Sequence, residues 1–197
     1  MPDHDEPSSE LWLVRHGETA WSATGRHTGS TDIELTEQGE AAARALAPRL
    51  AGRRFVRVLS SPLLRARRTA QLAGFPDAEV LDDLREWDYG QDEGRTTAQI
   101  RQDRPGWTVW GDGPLGGETA EAVSARAGRV VALSRAADGP VLTFSHGHFC
   151  RVLGARWLEL EARDGRHLVL STASVSVLGW EHGMPAVRHW NDTGSLG

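Results

Sequence analysis

The chain of 197 residues contains no lysine; all 22 of its basic residues are arginine. Schiff-base aldolases and pyridoxal enzymes need a lysine amine, so both chemistries are excluded. A Walker A nucleotide loop, which ends in Lys-[Ser/Thr], is excluded too. Cysteine is reduced to Cys150 alone, which rules out an intramolecular disulfide and any multi-cysteine zinc site. Cys150 sits in an apolar stretch and is expected to be a packed residue. No apolar run approaches the ~18 residues of a membrane span. The first ten residues lack the basic and apolar regions of a secretory signal, so a cytoplasmic protein is the default expectation. A net charge of −5 lacks the basic balance of a nucleic-acid binder. No His-x-x-x-His pair is present, and no metal site is expected.

What is present suits one globular domain: 39% of residues are hydrophobic and 25% charged. Residues 1–9 are polar and proline-rich, a flexible lead to a single domain over 10–197. Strands are expected at 11–14, 55–59, 79–81, 141–144, 168–180 and 185–190. Helices are expected at 37–51 behind Thr36, at 62–73 started by Ser60-Ser61-Pro62, near 96–103, at 118–137 and at 148–160. Residues 20–35 are a long loop, and 86–117 form an irregular segment dense in Gly, Trp and Asp. This alternation predicts an α/β fold, a three-layer α/β/α sandwich with a mainly parallel central sheet. Ligands in such sheets sit beyond the carboxyl ends of the strands. A free sheet edge leaves a homodimer open.

Two expected strands end in histidine followed by glycine: Val14-Arg15-His16-Gly17-Glu18 and Phe144-Ser145-His146-Gly147-His148. A third runs into Ser60-Ser61-Pro62-Leu63-Leu64-Arg65. A cation in the first turn of a helix is disfavoured by the macrodipole, whereas an anion is favoured there. Arg65 is therefore expected to share a bound anion with that helix end. The segment Glu86-Trp87-Asp88-Tyr89-Gly90-Gln91-Asp92 offers a proton donor shielded by Trp87 and Tyr89, with Glu86, Asp88 and Asp92 as rival candidates. Two guanidiniums, two imidazoles and a carboxyl group suit a phosphate dianion. The chemistry implied is nucleophilic phosphoryl transfer through a phosphohistidine, with arginines stabilising the equatorial oxygens and a carboxyl group moving the proton. Neither step requires a metal or a cofactor.

These motifs resemble the histidine phosphatase, or phosphoglycerate mutase-like, superfamily. Arg15-His16-Gly17-Glu18-Thr19, Arg65 with Ala66 and Thr69, Glu86 before Tyr89-Gly90, Gly117-Glu118-Thr119 and His146-Gly147 match its elements in order. The resemblance implies that His16 is the phosphorylated nucleophile and Glu86 the acid-base residue. It implies that Arg15, Arg65 and His146 hold the phosphate. Ser22, His27, Thr28, Gly29, Ser61, Tyr89, Gly147 and His148 would line the substrate side. Within the superfamily the chain looks most like the branch of sedoheptulose-bisphosphatase-like proteins and a mycobacterial broad-specificity acid phosphatase. The activity implied is a metal-independent phosphatase acting on a small phosphorylated metabolite such as a sugar phosphate. The rival activities are a phosphoglycerate mutase and a protein phosphohistidine phosphatase. Mutases of this superfamily carry asparagine where Ser22 stands, lysine where Thr97 stands and an Arg-Arg pair where this chain has Gly111-Asp112. Trp107 and Trp110 are candidates to wall the pocket.

Overall fold

The computed structural model describes residues 7–194. Of the expected 1–9 lead, residues 1–6 lie outside the described residues. Ser9 is buried, and its carbonyl accepts a hydrogen bond from Trp180 Nε1 at 2.9 Å. The chain runs β1 (Leu11–Arg15), α1 (Ala20–Ala23), α2 (Glu37–Leu50), β2 (Arg57–Ser60), α3 (Leu64–Leu72), β3 (Glu79–Val80), α4 (Thr97–Asp103), α5 (Ala120–Arg135), β4 (Val141–Ser145), α6 (Gly147–Trp157), β5 (Val175–Glu181) and β6 (Met184–Asp192). Short 3-10 turns at Asp82–Leu84, Gly90–Asp92 and Ala162–His167 complete it.

The six strands form one sheet in the order β3-β2-β4-β1-β5-β6. The first four are parallel, and β5 and β6 add antiparallel pairs at one side. Alternation along the strands builds the layers. Trp12 and Val14 of β1, with Leu142 and Phe144 of β4, pack against Leu46 and Leu50 of α2 and Ala70 of α3. Leu11 and Leu13, with Val141, face the other way, onto α5 through Val123, Ala127 and Val130 and onto α6 through Phe149 and Leu153. The expected mainly parallel α/β/α arrangement is the observed one. Among the described residues, no helix is long and apolar enough to cross a membrane.

Three expectations need correction. Ser60-Ser61-Pro62 does not open α3. The helix starts at Leu64, its cap residue Leu63 offers no side chain, and Asp32 of the preceding loop accepts from Leu64 N at 2.8 Å instead. The strand expected from 168 begins only at Val175; residues 168–174 leave the sheet to wrap the end of β1, with Ala173 at φ 53°. The 20–35 loop contains α1, held by a capping box in which Thr19 and Ser22 exchange hydrogen bonds.

Glycine at the two His-Gly turns serves space rather than backbone freedom. Neither Gly17 nor Gly147 has a positive φ. A Cβ on Gly17 would lie 2.4 Å from the Gly39 carbonyl oxygen in the first turn of α2, and a Cβ on Gly39 would lie 2.1 Å from the Glu18 carbonyl oxygen. The two backbones touch there, which seats the loop after β1 against α2. Gly39→Ala sets two effects against each other. Helix propensity favours alanine by ~1 kcal/mol, whereas overpacking costs ~1–3 kcal/mol. The obstacle is backbone, which cannot swing aside, so the steric cost wins. Urea titration of Gly39→Ala should show a net loss of up to about 2 kcal/mol; increased stability would contradict this contact.

Candidate active site

Parallel pairing of β1 with β4, in register from Leu11 with Val141 to Arg15 with Ser145, makes both strands end at one level. The next residue of each is a histidine. The rings of His16 and His146 meet edge to face with centroids 5.1 Å apart. His16 Nδ1 lies 2.7 Å from the Gly17 carbonyl oxygen. A carbonyl only accepts, so Nδ1 carries the proton and Nε2 keeps its lone pair. Burial, then the charges of Arg65 and Arg15, hold the His16 pKa well below its ordinary value, so the ring stays neutral.

Arg65 Nε donates to His146 Nδ1 at 3.1 Å, which places the proton of that neutral ring on Nε2, donating to Ser61 Oγ at 2.8 Å. The remaining Arg65 donors reach the carbonyls of Thr28, Gly29 and Thr31 at 2.9–3.1 Å. Those carbonyls are presented by a loop whose amides turn the other way. Gly29 N, Ser30 N and Thr31 N all donate to the Glu93 carboxylate, at 2.8, 3.3 and 2.9 Å. Glu93 thus shapes the cage of Arg65 without touching it.

Arg15 donates through Nη1 to the Leu170 carbonyl at 2.5 Å, while its buried Nε has no partner among the described residues. An orphaned guanidinium donor is costly unless an acceptor arrives. The Glu86 carboxylate sits at the start of α6, accepting from His148 N at 3.0 Å and Phe149 N at 2.9 Å, and from Trp87 N at 2.9 Å. Free amides and the helix dipole both favour it there. Arg126 holds the adjoining segment by donating to the carbonyls of Asp83, Arg85 and Glu86, while pairing with Glu118.

On the far side Tyr89 Oη lies 2.6 Å from His148 Nδ1. Burial and the nearby Glu86 raise the Tyr89 pKa well above 10, so the hydroxyl is the donor. His148 is neutral, held down by burial and then by Arg151, and therefore carries its proton on Nε2. His27 lies tilted against Tyr89 and edge-on to Trp107, and its Nε2 meets Thr97 Oγ1 at 3.2 Å.

Arg15, His16 and Glu86 therefore line one pocket of about 260 Å³. Similarity to known proteins points the same way. The model of the histidine phosphatase superfamily (branch 1) matches residues 11–193. The chain belongs to the histidine phosphatase superfamily. It is 45% identical to an acid phosphatase of Mycobacterium tuberculosis over 88% of each chain. It is 34% identical to the sedoheptulose 1,7-bisphosphatase of Saccharomyces cerevisiae over 75% of this chain and 67% of that one. A solved M. tuberculosis structure, 42% identical, superposes with a TM-score of 0.91 over 94% of this chain and 98% of its own. A probable phosphoglycerate mutase of Salmonella is also similar, at 32% identity over 92% of this chain and 89% of its own.

Within this histidine phosphatase fold, Arg15, His16, Ser22, His27, Thr28, Glu86, Tyr89, Gly147 and His148 face the pocket directly. Arg65, His146, Ser61 and Gly29 form the layer behind it. Arg65 directs its donors at His146 and at the carbonyls of Thr28, Gly29 and Thr31. The rival acids separate cleanly. Asp88 is exposed and accepts from Gly90 N, while Asp92 is buried against Arg104 and Leu115 N. Trp107 and Trp110 back the rings of His27 and His148 instead of facing the pocket. Arg26 and Arg151 line the pocket and escaped sequence reasoning. Arg151 lies one helical turn beyond Gly147 (i, i+4), and that spacing from the His-Gly motif was the available signal. Among the described residues, no group of three or more His, Cys, Asp or Glu could hold a metal ion. The Cys150 thiol, buried, is pushed up to about 12 and stays protonated.

Two expected outcomes follow from this geometry. Glu93→Ala removes the acceptor that holds residues 29–31 and should weaken inhibition by orthovanadate ~10-fold, with Glu93→Gln intermediate. Equal vanadate affinity in all three proteins would dissociate Glu93 from the Arg65 cage. The second concerns pH. His16, His146 and His148 have folded pKa values below their ordinary value of 6.5. Between the two values the unfolded chain binds more protons, so the stability these groups permit is complete above 6.5 and is lost as pH falls below it. Urea unfolding should give a smaller free energy at pH 5.5 than at pH 7.5; the opposite slope would show that these rings are charged in the folded protein.

Proposed function

We propose that the protein is a metal-independent cytoplasmic phosphatase that hydrolyses a small sugar phosphate through a phosphohistidine on His16. The observation that carries this is the tautomer of His16. Its Nδ1 proton is committed to the Gly17 carbonyl, so a neutral Nε2 lone pair is available between Arg15 and Arg65. In the first step Nε2 attacks phosphorus and the P–O bond to the sugar breaks. Glu86, in its acid form, gives its proton to the leaving oxygen. In the second step the Glu86 carboxylate takes a proton from water as the water oxygen attacks phosphorus. The P–N bond breaks and inorganic phosphate leaves. Binding of phosphate gives the orphaned Arg15 Nε an acceptor and draws donors of Arg65 and His146 away from the loop carbonyls and Ser61. Fixed cations around the equatorial oxygens stabilise the charge that develops there. The relatives named as phosphatases support the hydrolase reading.

The mutase alternative requires a grip on a carboxylate. Thr97, at the position where mutases carry lysine, bonds to His27 and brings no charge to the pocket wall. This favours a hydrolase.

Rapid quench into alkaline SDS after mixing with a ³²P-labelled sugar phosphate should trap an acid-labile phosphoenzyme in the wild type and in Glu86→Gln, where it should persist for longer. His16→Ala should trap none. Label retained in His16→Ala would move the nucleophile elsewhere.

A further inference from the structure

Glu86 stands where the chain has no regular structure to hold it: residues 85–89 belong to neither helix nor strand. A backbone carbonyl turned away from water there has to find a donor. The carbonyls of four successive residues, 83–86, take side-chain donors. Arg126 Nη1 donates to the Asp83 and Arg85 carbonyls at 2.9 and 2.7 Å, and Nη2 donates to the Glu86 carbonyl at 3.1 Å. Ser145 Oγ, at the end of β4 beside His146, donates to the Leu84 carbonyl at 2.7 Å.

Arg126 reaches this stretch from the second turn of α5 and is buried. Its Nε and Nη2 also take the two oxygens of Glu118, at 2.7 Å each. Every N–H donor of the guanidinium is then engaged. Glu118 matches the charge, so the cation meets the Glu86 backbone as half of a neutral pair. The guanidinium lies over the Phe149 ring, 4.3 Å from its centroid, and Phe149 N is one of the amides that hold the Glu86 carboxylate. One side chain therefore touches both the backbone that carries the acid and the α6 residue that receives it. The Glu118 backbone extends the grip by accepting from Trp87 Nε1 at 2.7 Å and donating to the Asp88 carbonyl at 2.9 Å. An ion pair that served α5 alone would need none of these contacts to residues 83–88. Lysine could not make them, since its donors share one atom and lack the planar fork.

We propose that Arg126 and Glu118 are positioning residues for Glu86: without touching substrate, they fix its carboxyl group for delivery of a proton to the leaving oxygen. This rests on the phosphatase reading above and deepens it. In the first half-reaction the bond from phosphorus to the leaving oxygen breaks as His16 Nε2 bonds to phosphorus, and the Glu86 proton passes to that oxygen. An alkoxide needs the proton in order to leave, whereas a nitrophenolate departs as the anion. Misplacing an acid by ~1 Å costs on the order of 100-fold where its proton is needed and little where it is not. Loss of the clamp should therefore be selective for esters with poor leaving groups.

The test takes the ratio of kcat/KM for p-nitrophenyl phosphate to kcat/KM for an alkyl ester, the faster of fructose 6-phosphate and glycerol 3-phosphate, within each protein so that general damage cancels. Glu86→Gln sets the scale and should raise the ratio ~100-fold or more over the wild type. Arg126→Met should raise it ~10-fold or more, and Glu118→Gln should raise it by less. Arg126→Lys can keep the ion pair but not the three carbonyls, so it should resemble Arg126→Met and not the wild type. Glu118 is the less buried partner, so Glu118→Gln keeps the test decisive if the Arg126 variants do not fold. Both esters slowed alike in folded variants, with the ratio unmoved, would give the pair a purely structural role and overturn the proposal. An unmoved ratio in Glu86→Gln would overturn it too, by removing the acid role of Glu86. Wild-type hydrolysis of p-nitrophenyl phosphate alone would overturn it while the hydrolase reading stands; hydrolysis of none of these esters removes the phosphatase reading itself.

Discussion

The guanidinium of Arg65 is fully buried, and among the described residues no carboxylate lies within ion-pair distance of it. Taking an unpaired charge out of water costs several kcal/mol even after relaxation, so its surroundings have to be assembled for it. They are. Three consecutive-region carbonyls close on it from the loop at 28–31, and the loop turns that way because its amides are anchored on Glu93. Gly29 must stay a glycine, since a Cβ would come within 2.6 Å of the Trp87 carbonyl oxygen. The last donor, Nε, fixes the tautomer of His146 and, through it, the orientation of Ser61. A single cation thus sets the shape of a loop, the proton position on a ring and the rotamer of a hydroxyl. The same interactions keep that cation at full charge beside His16.

The histidines answer to the same logic. Rings packed among guanidiniums cannot be charged, and burial adds to the repulsion. Neutrality makes each ring half donor and half acceptor, and a committed partner on one nitrogen decides the role of the other. His16 is left with a lone pair and His148 with a proton, from identical side chains, because one leans on a carbonyl and the other on a phenol. Positive charge comes entirely from residues that do not titrate.

Much of this was legible in the sequence. The strand-helix alternation and the two His-Gly turns reported the parallel sheet and the level at which β1 and β4 end. The five residues of the proposed phosphoryl transfer were readable from motifs, and Glu86 was separable from Asp88 and Asp92 only through the family pattern; burial and pairing now distinguish them on physical grounds. What stayed hidden was non-local. Nothing in the run around Ser60 says that Asp32 caps α3, because the loop that brings it there is held by Glu93, more than sixty positions away in the chain for Gly29 and Thr31. Arg151 looked like an ordinary helical arginine until the Gly165 and Arg166 carbonyls came round to orient it. The departure of residues 168–174 from the sheet was masked by strand-like composition, and its cause is a tertiary demand at the end of β1.

That departure carries a consequence for biosynthesis. The Leu170 carbonyl receives Arg15, and Ala173 N donates to the carbonyls of Arg15 and His16. The turn bearing the first histidine emerges from the ribosome early, yet the segment that completes it is translated more than 150 residues later. A nascent chain can form β1 long before it can hold Arg15 in place. The finished geometry around Arg15 and His16 is therefore a property that arrives near the end of synthesis, and a chain stopped before residue 168 carries both His-Gly turns but no finished site around them.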